Sequence, residues 1–390
     1  MKRQVRMSWG ILIILWLLMA GCSTSLDMAP TAKSAPQKPA QTKPTQKPVQ
    51  KEEMAANAQL VLKEVNLVSN VKGIAATTDD KLVDSWGLEF GHTGRIWLNN
   101  NTGYSTVYDG DGKIVMVDDG KGKQIPLAVK IPTPPGATDP APLTGMAFSE
   151  KNAFKGDSFI FATEQGTIAG WDKPMIVQAM MRVDNSAKGA VYKGLATAGT
   201  PKGDWLYATN FAQGTIDVFD HNYEPVTTAG KFVDPTLPKN YAPFGIKSIK
   251  DSLYVTFVEL ASDKANDVGG VGHGYIDIFD TNGQFKKRLV SNGPLNSPWG
   301  LALAPKDFGA FSDKLLVGNF RDGYIHVFDP DSGQLIGQVM DKTGAPLQID
   351  MLWSLTFGND NKAGSHNQLY FAAGSSSETA GLFGRLDLGK

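Results

Sequence analysis

Five side chains stand where they could do chemistry: Asn100, Glu164, Asn210, Glu259 and Asn319. Asn100, Glu164, Asn210 and Asn319 each lie just beyond a short apolar run, such as Ile96-Trp97-Leu98 or Phe159-Ile160-Phe161. Glu259 lies two positions past Phe257, which occupies the corresponding place in another run. Amides and carboxylates converging on one axis would supply the oxygens of Ca²⁺, which takes about six to eight of them. Such an ion could polarise a lactone or ester carbonyl while a carboxylate acted as general base. The plainer reading of the same asparagines is turn capping, since Asn after a strand bonds nearby backbone through its amide. Two of the corresponding positions, Phe257 and Ala373, are apolar.

Other chemistries find less support. The histidines at 92, 221, 273, 326 and 366 have no His-x-x-x-His spacing, and Cys22 is the one cysteine, so no zinc pattern forms. Neither a Gly-x-Ser-x-Gly elbow nor a phosphate-binding loop occurs. His326 sits mid-strand and is expected on an exposed face. The insertion 258–273 carries Glu259, Asp263, Asp267 and His273 without EF-hand spacing, which leaves a solvated loop, a lid or a partner-binding loop. A formal net charge of −1 over 390 residues gives no electrostatic case for nucleic acid.

The elements that would position these residues repeat roughly every 50 residues, which is the spacing of four-stranded propeller blades. Each unit opens with an aromatic or small residue, commonly before Gly: Trp86-Gly87, Thr144-Gly145, Lys193-Gly194, Phe244-Gly245, Trp299-Gly300 and Trp353-Ser354. A second apolar strand follows. A third often begins with Gly and ends aromatic-Asp, as in Gly274-Tyr275-Ile276-Asp277-Ile278-Phe279-Asp280. Turn residues such as Thr281-Asn282-Gly283 come next, where Gly and Asn supply positive φ. The tryptophans at 86, 299 and 353 fit packing at the blade openings. The sixth unit runs out after its third strand, and segment 63–70 resembles the fourth strand at 287–292. The expectation is therefore an all-β, six-bladed β-propeller of four-stranded blades over 59–390, its last blade closed by the N-terminal strand.

Ahead of it lie two segments outside the fold. Lys2, Arg3 and Arg6 precede an apolar run of signal-peptide length, and Leu18-Met19-Ala20-Gly21-Cys22 resembles the lipobox of bacterial lipoproteins. Residues 1–21 thus read as a lipoprotein signal peptide, and Cys22 as the lipidated residue. Ser23 after it resembles an outer-membrane sorting signal, so the expected location is the cell envelope, at the outer membrane. Residues 22–58 are rich in Pro, Lys, Gln and Thr without apolar periodicity. They read as a disordered tether with a reach of at most about 100 Å.

The Gly-aromatic-Ile-x-Val-Phe-Asp strand, the Trp-Gly openings, Leu67-Val68-Ser69-Asn70 and Val83-Asp84-Ser85-Trp86-Gly87-Leu88 resemble a family of bacterial secreted propellers of unknown function. The chain is more distantly similar to NHL-repeat propellers and to SMP-30/gluconolactonase enzymes. The near resemblance implies the fold over about 60–390. The distant ones imply two functions. One, resting also on the long tether and the lack of a recognisable catalytic set, is a lipid-anchored, monomeric binding or scaffolding module for a protein, polysaccharide or small ligand. The other is a calcium-dependent lactonase or esterase-like hydrolase with its site at the channel mouth.

Overall fold

The computed structural model describes residues 60–389 apart from 93, 151–152, 174–176 and 376–377. The segments expected to be a signal peptide and a tether, with Cys22, lie outside the described residues. The regular elements of the described chain are strands apart from a few short 3-10 turns, and its architecture is propeller-like.

Each expected opening position falls in a first strand: Ser85–Glu89, Leu143–Phe148, Tyr192–Thr200, Tyr241–Ile249, Pro298–Leu303 and Leu352–Phe357. Each first strand pairs antiparallel with the strand that follows it, and that one with a third. The first strands also neighbour one another in a closed cycle, the last meeting the first. The openings explain how they come so close. A Cβ on Gly145 would lie 2.4 Å from the Leu195 nitrogen, and one on Gly245 would lie 2.3 Å from the Trp299 carbonyl. Only glycine allows that approach. Where the sixth opening has Ser354 instead, its hydroxyl donates to the Trp86 carbonyl at 2.5 Å and accepts from the Leu88 amide at 3.1 Å. The serine thus closes the cycle by hydrogen bonds.

Between adjacent sheets the outward strand faces bury separate apolar clusters. One gathers Trp97, Phe159, Phe161 and Trp171 between the first two sheets, and another Leu62, Phe308, Leu316 and Phe371 between the last two. The aspartate after a third strand shapes the following hairpin. Asp109 and Asp280 each accept two backbone N–H bonds through Oδ1.

The chain's N-terminal described strand, Leu60–Ser69, pairs antiparallel with Leu382–Leu388, from Leu62 opposite Leu388 to Ser69 opposite Leu382. It completes the sheet Leu352–Phe357, Leu369–Ala373, Leu382–Leu388. Its first two residues reach further than expected. Leu60 and Val61 pair parallel with Val339 and Met340, so one strand ties two sheets together.

Two expectations need correction. The third sheet has three strands, Tyr192–Thr200, Gly203–Asn210 and Thr215–Phe219. The segment after it holds Pro225, Pro235 and Pro238, which lack the N–H that a ladder needs. His326 is 7% exposed rather than on an open face, and burial lowers its pKa. The equivalent Asp277 is buried too, held by the Arg288 guanidinium, which also pairs with Asp234. A buried charge of this kind persists only when paired.

Candidate functional site at the channel mouth

The end at which the first strands begin is filled by rings. Trp86 and Trp353 stack with centroids 3.4 Å apart, and Phe320 stacks on Trp353 at 3.8 Å. Trp299 meets both tryptophans edge-on, at 6.3 and 6.0 Å. The opening positions thus supply an aromatic plug on the axis, completed by Phe244 and Phe211. Below it the channel narrows to a cavity of about 40 Å³ lined by Gly87, Met146, Ile246, Trp299 and Leu355.

Charge gathers around that plug. Lys193, the one charged opening residue, is 3% exposed. Its ammonium lies 5.0 Å from the Trp86 ring centroid and 5.5 Å from that of Phe211, and it ion-pairs with Glu164. A lysine is buried so deeply only when it is paired, and the ring faces add a cation–π attraction. Arg321 forms a bidentate pair with Asp267, Nε to Oδ2 at 2.9 Å and a terminal nitrogen to Oδ1 at 2.7 Å. The guanidinium lies 4.8 Å from the Phe320 centroid, and Ser297 donates its hydroxyl to the same aspartate. This geometry suits the rigid fork of arginine.

Two acids complete the group. Asp84 is fully buried and takes hydrogen bonds from the indoles of Trp86 (2.8 Å) and Trp353 (3.1 Å) and from the Asn101 amide (2.8 Å). Burial outweighs those bonds and pushes its pKa up to about 6. Glu378 sits at a φ of 65°, a conformation most residues avoid. Desolvation raises its pKa, and the nearby Glu164 carboxylate adds to the shift, while Arg321 and Lys193 oppose it. Glu378 has no ion-pair partner among the described residues. An exposed carboxylate without an ion-pair partner among the described residues thus lies within electrostatic reach of both neutralised pairs.

Of the five residues singled out from the sequence, only Glu164 joins this group. Asn100 accepts from Ser85 Oγ at 2.6 Å and donates to Tyr104 O and Thr106 Oγ1. Asn210 accepts from the Val191 amide and donates to Asp217. Asn319 donates to the Pro294 carbonyl at 2.9 Å. Glu259 pairs with His273 at 2.8 Å and accepts from Asn240. No hydrogen bond joins any two of the five, and the three amides are engaged with neighbouring strands and loops. Among the described residues, no three His, Cys, Asp or Glu side chains are placed to hold a metal ion.

The sequence reading passed over Asp84, Arg321 and Glu378, and took Lys193 only as an opening position. One signal was available: Lys193 puts a charge where the other units have aromatic or small residues.

Comparison with known proteins decides the family. The chain is 31% identical over 334 residues to uncharacterized protein L690 of Acanthamoeba polyphaga mimivirus, covering 82% of this chain and 84% of that protein. It belongs to that family. Uncharacterized protein R648 of the same virus is 31% identical over 336 residues, covering 82% of this chain and 78% of its own length. These relatives of the L690-like chain are viral, whereas the sequence resemblance pointed to bacterial secreted proteins. No profile of a known protein family matches. Among solved structures, a glucose dehydrogenase is similar with a TM-score of 0.51 at 12% identity, covering 84% of this chain and 99% of that one. Virginiamycin B lyase from Staphylococcus aureus is similar with a TM-score of 0.48 at 17% identity, covering 84% and 99%. The likeness to the dehydrogenase shows a propeller-like fold.

Proposed function

We propose that this L690-like protein is a six-bladed propeller that serves as a binding or scaffolding module, with its partner at the channel mouth. Support for the six blades comes from the closed cycle of first strands and the strand Leu60–Ser69 shared between chain ends. The lipobox-like Leu18-Met19-Ala20-Gly21-Cys22 and the proline-rich 22–58 segment support an exported protein, lipid-anchored through Cys22 at the outer membrane. That part of the proposal rests on sequence alone.

The observation that carries the binding role is Glu378, an exposed carboxylate without an ion-pair partner among the described residues, within electrostatic reach of Lys193–Glu164 and Arg321–Asp267. Aromatic faces beside an unpaired acid favour a partner that brings a cationic group, such as a lysine side chain of a protein. Tryptophan fluorescence of the full chain senses the site, because Trp86, Trp299 and Trp353 form its floor, and Glu378→Gln separates that response from the tryptophans elsewhere. The lysine probe Nα-acetyl-lysinamide is expected to change the emission, and Glu378→Gln to weaken its binding about tenfold or more. Equal binding of Nα-acetyl-norleucinamide, or no loss in Glu378→Gln, would overturn the proposal.

A further inference from the structure

At the far end of the first strands, away from the aromatic plug, Glu89 and Lys247 meet at 2.9 Å. They come from the first and fourth units, 158 residues apart in sequence. This pair lines a cavity of about 420 Å³, with Phe90, Phe148, Thr197 and Asp204 in its walls. A second cavity of about 400 Å³ shares His92, Phe148 and Glu150 with the first, and is backed by Trp97 stacked on Phe159 at 4.2 Å. Together they form one elongated cleft, each half within the size range of about 300–1,000 Å³ typical of small-ligand sites.

The chemistry of the cleft narrows its ligand. Glu89 is held in place, since its Oε1 accepts from the Phe90 amide at 3.3 Å while Oε2 takes the lysine. Among the described residues, Lys247 has no other hydrogen-bond partner, so its ammonium retains unused donors. A fixed carboxylate beside a half-free ammonium matches two neighbouring hydroxyls. One hydroxyl donates to Glu89 and the next accepts from Lys247, with the ion pair left intact. Phe90 and Phe148 offer apolar faces for the C–H side of a ring. Glu89, Glu150 and Asp204 outnumber Lys247 in the lining, which opposes a carboxylate or phosphate ligand. A zwitterion would have to separate Glu89 from Lys247 to bind.

The geometry points to a binding site for a neutral sugar, one pyranose over the Glu89–Lys247 pair and a second toward Trp97. This site is separate from the mouth and does not depend on a partner binding there. The test is calorimetric titration of the full chain with methyl β-glucopyranoside, methyl β-galactopyranoside and cellobiose. At least one of these glycosides is expected to bind, and Lys247→Met and Glu89→Gln are each expected to weaken it about tenfold or more, with melting temperatures near wild type. Should either variant fail to fold, the other carries the comparison, and displacement of the bound glycoside by L-leucine is measured on the wild type. No heat with any of the three glycosides, undiminished binding in the variants, or displacement by L-leucine would each overturn the inference.

Discussion

Removing the strand Leu60–Ser69 should cost this protein most of its stability, although it lies at one end of the fold. Leu60, Leu62, Leu67 and Val68 are buried on it, at 9%, 1%, 4% and 0% exposure. At about 1.5–3 kcal/mol for each buried aliphatic side chain, their loss amounts to about 6–12 kcal/mol. That is an upper figure, because a denatured chain already hides some apolar surface. It still rivals the about 5–15 kcal/mol that holds a typical domain folded. Deletion also bares the edge of Leu382–Leu388 and releases Val339–Met340, exposing two ladders to wrong partners. The graded form of the experiment is Leu62→Ala, expected to cost about 2–5 kcal/mol. The exposed neighbour change Lys63→Ala should stay within about 0.5 kcal/mol. Urea unfolding followed by tryptophan fluorescence measures all three, beside a variant shortened within residues 24–55, which should melt like wild type. If deleting 60–69 leaves the midpoint where the tether deletion leaves it, the closure argument fails.

Asp84 sets a pH dependence whose sign is fixed by burial. Its folded pKa of about 6 lies above the ordinary 3.8, so between those values the native state holds a proton that the unfolded chain releases. The contribution is favourable below about pH 4 and is lost as pH rises through 6, a swing of about 3 kcal/mol. Asp84→Asn keeps a carbonyl acceptor for an indole and removes the titration. Its stability relative to wild type should therefore climb from pH 4 to pH 6 and then level off in urea melts; a difference constant across pH would contradict this. Melting curves of the full chain after EDTA, with and without millimolar calcium, should coincide. An ion present at about 100 times its Kd would add about 2.7 kcal/mol, and such a shift would revive the calcium-dependent hydrolase.

Much of the fold could be read because its constraints are local and repeated. Gly145 and Gly245 must lack a Cβ where first strands touch, and the aspartates at 109 and 280 must cap hairpins. Those demands recur in unit after unit and leave a period in the sequence. The closing strand was legible for the same reason, since Leu67-Val68-Ser69-Asn70 repeats Leu289-Val290-Ser291-Asn292. The missing fourth strand of the third unit was not seen, because it depends on where three prolines fall. The candidate site was mostly hidden for the opposite reason. Lys193, Arg321, Asp84 and Glu378 come from four different units, so no spacing links them. The asparagines at 100, 210 and 319 drew attention because they recur at strand ends, where each makes hydrogen bonds to nearby strands and loops.

The central claim is that the mouth, between Lys193–Glu164 and Arg321–Asp267, is where a cationic partner group is held. A crystal structure of the full chain soaked with Nα-acetyl-lysinamide tests it most directly. The account predicts the probe's ammonium within hydrogen-bond distance of Glu378, beside the ring of Trp299, with both ion pairs intact. Density for the probe in the Glu89–Lys247 cleft, or none at Glu378 at a concentration that saturates the fluorescence change, would contradict it.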